Sequence, residues 1–125
     1  MLLDTTTFVD LTRDYRPAVE AFRKVLYGQS ASIINKFELI VGSKSKKEMN
    51  TIGNRLEKLE IAFFPITAEI CEIAEEIMRS FYHSHGVGIE DALIAATALV
   101  YDEELATHDT KHFDFIPNLK LLTPY

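Results

Sequence analysis

Four acidic residues, far apart in the chain, stand where a carboxylate is poorly explained as surface solvation. Asp4 directly follows the apolar pair Leu2-Leu3, and Glu38 lies between Phe37 and Leu39 on an otherwise apolar helical pattern. Asp91 opens the apolar run Ala92 to Val100, and Asp109 follows the short segment Glu104 to Thr107. A charge among apolar neighbours is costly unless something compensates it. Like charges gathered in one place repel, and one or two divalent cations remove that penalty. Hard cations such as Mg²⁺ or Mn²⁺ are held by one or two carboxylates together with waters and substrate phosphates. Two such ions about 3.5–4 Å apart clamp the attacking and leaving oxygens of an in-line phosphoryl displacement and lower the pKa of a bound water. With no Ser-His or Cys-His arrangement nearby, the acids point to that chemistry. Taken singly, each has a plain explanation: Asp4 as a turn residue, Asp91 or its neighbour Glu90 as a helix-dipole partner, Asp109 as a cap. The joint placement is what lifts the set above its members.

The elements that must bring these acids together alternate along the chain. Leu2-Leu3 reads as a strand stopping at Asp4, and Thr5 to Thr7 lead into a short helical turn with Phe8, Val9 and Leu11. Pro17 suits the first position of a helix through Val19, Phe22, Val25 and Leu26 that ends at Gly28. Ala31 to Ile34 reads as a second strand, after which Asn35 can cap a helix containing Phe37, Leu39, Ile40 and Val41. Lys44 to Lys58 is a charged amphipathic helix, and its Lys44, Lys46, Lys47 and Arg55 read as a solvated face. Ala62 to Ile66 is a third strand, with Pro65 favouring an edge or the strand's end. Thr67 caps a long helix with Ile70, Ile73, Ile77 and Phe81 in register, ending near His85-Gly86. The apolar helix from Asp91 feeds a fourth strand, Glu104 to Thr107, and the turn Pro117-Asn118 precedes a fifth, Lys120 to Thr123. Alternation of this kind predicts a three-layer α/β/α sandwich around a mostly parallel sheet of four or five strands. Right-handed crossovers then place the strand carboxyl ends along one edge, where ligands collect in open parallel sheets.

Composition sets bounds on the rest. A chain of 125 residues, 47% hydrophobic, supports one domain over residues 1–125 with one core. A net charge of -6 argues against holding nucleic acid by a broad basic face, but leaves room for an acidic cation site. Cys71 is the only cysteine, so no disulfide framework or multi-cysteine zinc site is expected, and its place in a helical pattern favours a buried structural thiol. The opening Met1-Leu2-Leu3-Asp4 leaves no room for a signal segment, and no apolar run reaches the roughly 18 residues that span a bilayer. A cytoplasmic protein with no membrane attachment is the expectation.

The segments MLLDTTTFVD, SIINKFELIVGS, EDALIAATALVYDEELATHD and TKHFDFIPNLKLL resemble the PIN domain family, in particular the VapC-type toxins of toxin–antitoxin pairs. The likeness covers nearly the whole chain in order and at the usual spacing. It implies a PIN-like fold and an endoribonuclease that uses a cluster of acids to hold Mg²⁺ or Mn²⁺ and cleave RNA phosphodiester bonds. By position, the family's acids fall on Asp4, Glu38, Asp91 and Asp109, with Asp4, Asp91 and Asp109 as metal ligands and Glu38 completing the shell. Glu90 is the second choice for the third acid, because neighbouring helical residues point roughly 100° apart. Thr5, Thr6 and Ser32 are supporting residues that orient ligands or the scissile phosphate, and Lys111 and His112 are candidate substrate contacts. The resemblance also implies a homodimer and a small VapB-like antitoxin whose segment lodges in the acidic groove. One departure stands out: the family usually carries Asn two residues after the first acid, where this chain has Thr6, a single hydroxyl in place of an amide and a carbonyl.

Rival classes fit less well. A receiver domain needs an acid at the end of strand three, which here reads Pro65-Ile66-Thr67, and a haloacid-dehalogenase-type phosphatase needs Asp-x-Asp where this chain has Asp4-Thr5-Thr6. The pairs His83 with His85 and His108 with His112 only partly match zinc-ligand spacing, and no cysteine assists them. The alternative from another class is a catalytically silent PIN-like module that binds RNA or a protein without cutting.

Overall fold

The structure, a computed structural model, describes residues 1–24 and 29–125. Among these, five short strands form one sheet: β1 (Leu2–Leu3), β2 (Ser30–Ser32), β3 (Ala62–Phe64), β4 (Leu105–Ala106) and β5 (Leu121–Leu122). Six helices connect them: α1 (Thr5–Thr12), α2 (Arg16–Arg23), α3 (Ile33–Gly42), α4 (Lys46–Leu59), α5 (Ala68–His85) and α6 (Ile89–Val100). The strand order is β3-β2-β1-β4-β5, and every pairing is parallel. Between β4 and β5 the chain makes a 3₁₀ turn at Thr110–His112.

Side-chain alternation along the strands divides the apolar residues between two layers. Leu2 and Leu105 point to one face and pack with Ile70, Ala74 and Ile77 of α5 and Ile94 and Ala98 of α6. Leu3 and Ala106 point to the other and pack with Phe8 and Leu11 of α1, Phe22 of α2, Leu39 of α3 and Leu56 of α4. The first two crossovers walk the sheet from β1 to β3 with their helices on one face. The third returns past β2 and β1 to β4, and its reversed direction puts α5 and α6 on the opposite face. The point of reversal lies between β1 and β4, whose carboxyl ends lead into Asp4 and Thr107.

Local chemistry explains the boundaries. α3 begins directly on β2, because the Ser32 hydroxyl accepts the Ile34 N–H at 3.2 Å and caps the helix. Asn35 is therefore not the cap, and Ile33 and Ile34 belong to the helix rather than to an extended strand. A short apolar run looks the same in either state. β3 stops at Phe64 ahead of Pro65, Thr67 caps α5 through the Ile70 N–H at 3.2 Å, and Gly86 ends that helix at a φ of 65°. α2 has Pro17 in its first turn, while Val25, Leu26 and the expected stop at Gly28 lie outside the described residues. Arg55 does not join a free basic face: it pairs with Asp14 at 2.7 Å and reaches the Leu11 carbonyl, tying α4 to the α1–α2 turn.

Cys71 overturns the expectation of a buried thiol, for it is exposed. The inward stripe of α5 runs Ile70, Ala74, Ile77, and Cys71 sits one residue out of phase with it. We therefore expect the native protein to be labelled by a thiol reagent as fast as a free thiol. Cys71→Ser should shift unfolding stability by no more than about 0.5 kcal/mol in denaturant titrations.

Candidate active site

Asp4 is the innermost acid. β1 ends at Leu3, so Asp4 leaves the sheet with extended backbone and caps α1, its carboxylate accepting the Thr5 N–H at 2.8 Å. Its other oxygen accepts the Thr107 hydroxyl at 2.7 Å from the end of β4. The side chain is buried, and that loss of water pushes its pKa above the ordinary carboxylate range. The two hydrogen bonds oppose the shift, and the charge of Asp109 adds to it.

The other acids arrive from separate elements. Asp91, in the first turn of α6, is half-buried. Its pKa is raised by desolvation first and then by the charges of Asp4, Asp109 and Glu90, and lowered by His112, whose Nδ1 lies 3.5 Å from its carboxylate. Asp109 sits on the exposed loop after β4, its backbone N–H donating to the Thr107 hydroxyl at 2.9 Å. Glu38 projects from α3, its carboxyl pushed up to about 7 by burial first, then by a hydrogen bond to Glu90 and by the charges of Glu90 and Asp4. Glu38 thus faces Glu90. All four sequence-predicted acids are electrostatic neighbours around Asp4, with Glu90 as a fifth member.

Among the described residues, no three His, Cys, Asp or Glu side chains close into a tight ligand cage. The donor set nevertheless suits a hard cation. Mg²⁺ keeps several waters and takes only one or two carboxylates directly, and Asp4 and Asp91 both sit in surroundings that penalise their charge. The histidines do not form a zinc set. His85 stacks on Phe115, His83 lies against Tyr82, His108 against Tyr125, and only His112 faces an acid.

The supporting residues divide. The Thr5 hydroxyl donates to the Asn35 carbonyl oxygen at 3.2 Å and stands near Glu38, whose charged form it favours. Thr6 is exposed on α1. Ser32 is buried and its hydroxyl caps α3. Lys111 and His112 are exposed beside the fourth acid. Two residues were missed. Thr107 is fully buried and bridges the first and fourth acids. Asn35 is also buried, and its amide donates to the Leu3 carbonyl at 3.1 Å, tying α3 to the end of β1 one turn before Glu38. A threonine two residues before an acid is the local signal of a hydroxyl–backbone turn; nothing local marks Asn35.

Two measurements probe this arrangement. Thr107→Val leaves the Asp4 carboxylate and the Asp109 N–H without their shared partner and should cost about 1–3 kcal/mol in chemical unfolding, whereas Thr107→Ser should restore most of it. The second concerns pH. Because Glu38 is raised from 4.5 to about 7, its protonated form favours the fold below pH 4.5, and that contribution is lost as pH climbs through 7. With divalent ions chelated, Glu38→Gln should flatten the fall in thermal midpoint across that window and melt higher than the wild type above it. Parallel curves for the two proteins would rule out a raised Glu38 carboxyl.

Comparison with known proteins adds a second line. The PIN domain family model matches residues 1–117. Ribonuclease VapC19 of Mycobacterium tuberculosis is 33% identical over 95% of this chain and 96% of its own. Ribonuclease VapC of Rickettsia bellii is 33% identical over 69% of each chain. A toxin–antitoxin complex from Klebsiella pneumoniae superposes with a TM-score of 0.77 at 28% identity, covering 99% of this chain and 97% of that one. With its five-stranded parallel sheet, its acids at the β1–β4 edge and relatives along its full length, the chain belongs to the PIN domain family, alongside the VapC ribonucleases.

Proposed function

We propose that this chain is a metal-dependent endoribonuclease that hydrolyses RNA phosphodiester bonds and acts as the toxin of a toxin–antitoxin pair. The observation that supports it most is the buried Asp4 carboxylate, held at the sheet's point of reversal with Asp91, Asp109 and the Glu38–Glu90 pair around it. Asp4, Asp91 and Asp109 would hold Mg²⁺ or Mn²⁺ directly or through water, with Glu38 completing the shell. The ion, when bound, neutralises the cluster, activates water and stabilises charge on the phosphoryl group.

The chain's own groups do the rest. Thr107 and the Thr5 N–H each hold one oxygen of Asp4 and so fix the orientation of its carboxylate. Glu38, its carboxyl raised to about 7, would give up its proton as a cation arrives, which makes metal uptake pH-dependent. Lys111 and His112 draw the phosphate backbone toward an otherwise repulsive pocket, and Thr6 stands on the exposed side of α1 to meet it.

The whole of residues 1–125 acts as one such domain, in the cytoplasm, as a homodimer. Its partner is a small VapB-like antitoxin, in line with the solved toxin–antitoxin complex that shares its fold. No helix among the described residues is long and apolar enough to cross a membrane.

The test is cleavage of a mixed RNA pool with Mn²⁺, with Mg²⁺ and with chelator. Cleavage should require the ion, and Asp91→Asn or Asp4→Asn should lower it by on the order of a hundredfold or more. Inducing the wild type should arrest growth, and Asp91→Asn should not. RNA that is bound but left at full length with every ion would replace this reading with that of a silent binding module.

A further inference from the structure

Aromatic rings gather beside the acids. α5 ends in Tyr82, His83, Ser84 and His85, and a short turn carries the chain into the first turn of α6, where Glu90 and Asp91 stand. From the other side, the chain leaving Asp109 passes His112, which faces Asp91 at 3.5 Å, and then reaches Phe115. The two segments meet as a stack: His85 lies on Phe115 with centroids 4.1 Å apart and planes 19° from parallel. Phe81 is 5.7 Å from His85 and 5.1 Å from Phe115. Phe81 is thus nearer Phe115 than His85, and among the described residues no ring other than Phe115 stacks on the imidazole, leaving its opposite face open. His85 is exposed, and its Nδ1 sits 2.7 Å from the Ser84 hydroxyl, which sets the ring's rotation. Tyr82, one turn earlier on the same helix face, is 54% exposed.

This rim answers a difficulty in the site. A chain of net charge -6 with an acidic pocket repels a polyphosphate backbone, so affinity has to come from contacts indifferent to that field or from local cationic groups. Stacking on a nucleobase is indifferent to it, and Lys111, exposed beside Asp109, supplies the second.

We propose that the His85–Phe115 stack and Tyr82 form a subsite for single-stranded RNA, a base flanking the cleaved linkage stacking on the open face of His85 and its neighbour on Tyr82. The inference rests on the ribonuclease reading but has its own readout. Steady-state cleavage of a short unstructured RNA by the full chain with Mn²⁺ should show KM raised about tenfold in His85→Ala and in Tyr82→Ala, with kcat within about twofold. His85→Phe, which keeps the ring and loses the nitrogen, should restore KM. Thermal midpoints close to wild type would show that the variants are folded. Unchanged KM in both alanine variants would overturn the proposal, as would a His85→Phe variant no better than His85→Ala, since that would assign the contact to the imidazole nitrogen. Fluorescently labelled RNA in chelator reads the same ranking without cleavage. Wild type that binds with this ranking but never cuts would sink the ribonuclease reading and leave the stacking subsite standing.

Discussion

The structure depends on keeping one carboxylate, that of Asp4, where water hardly reaches. A buried carboxylate is tolerated only when its oxygens are hydrogen-bonded and its charge is offset. Here the hydrogen bonds come from the first N–H of α1 and from Thr107 at the end of the neighbouring strand. Among the described residues no salt bridge reaches it; the charge of Asp109 works against it and His112 only partly offsets it. A fold that keeps such an arrangement carries electrostatic strain that a divalent ion would relieve, which is the physical ground for proposing the acids as one site.

Sheet topology supplies the meeting place. Parallel strands with right-handed crossovers put every carboxyl end on one edge, and reversal of the winding between β1 and β4 leaves that edge uncovered there. α1 and α6 then bring helix N-termini to the same opening, where their exposed N–H groups favour acids. Glu38 reaches it because β2 passes into α3 without a loop, so the helix starts at the edge.

Much of this could be read in the chain. The short apolar runs, the caps and the strand-end acids are local signals, and each strand was located to within two or three residues. What escaped detection depends on distance. Thr107 and Asn35 matter because of what the register of β1 against β4 and β2 puts beside them, and that register is not written in their neighbours. Cys71 was misplaced for a different reason: adjacency to Ile70 says little, and only the helical phase set by Ala74 and Ile77 shows that it faces outward. The Glu38–Glu90 pair lay hidden because it joins helices on opposite faces of the sheet.

The brevity of β1 has a consequence of its own. With two residues in the strand, a slip by one would exchange Leu2 and Leu3 between the layers and carry Asp4 out of reach of Thr107. Correct folding and assembly of the acids are therefore one event: any change that lets β1 slip disperses the cluster and unseats the core together.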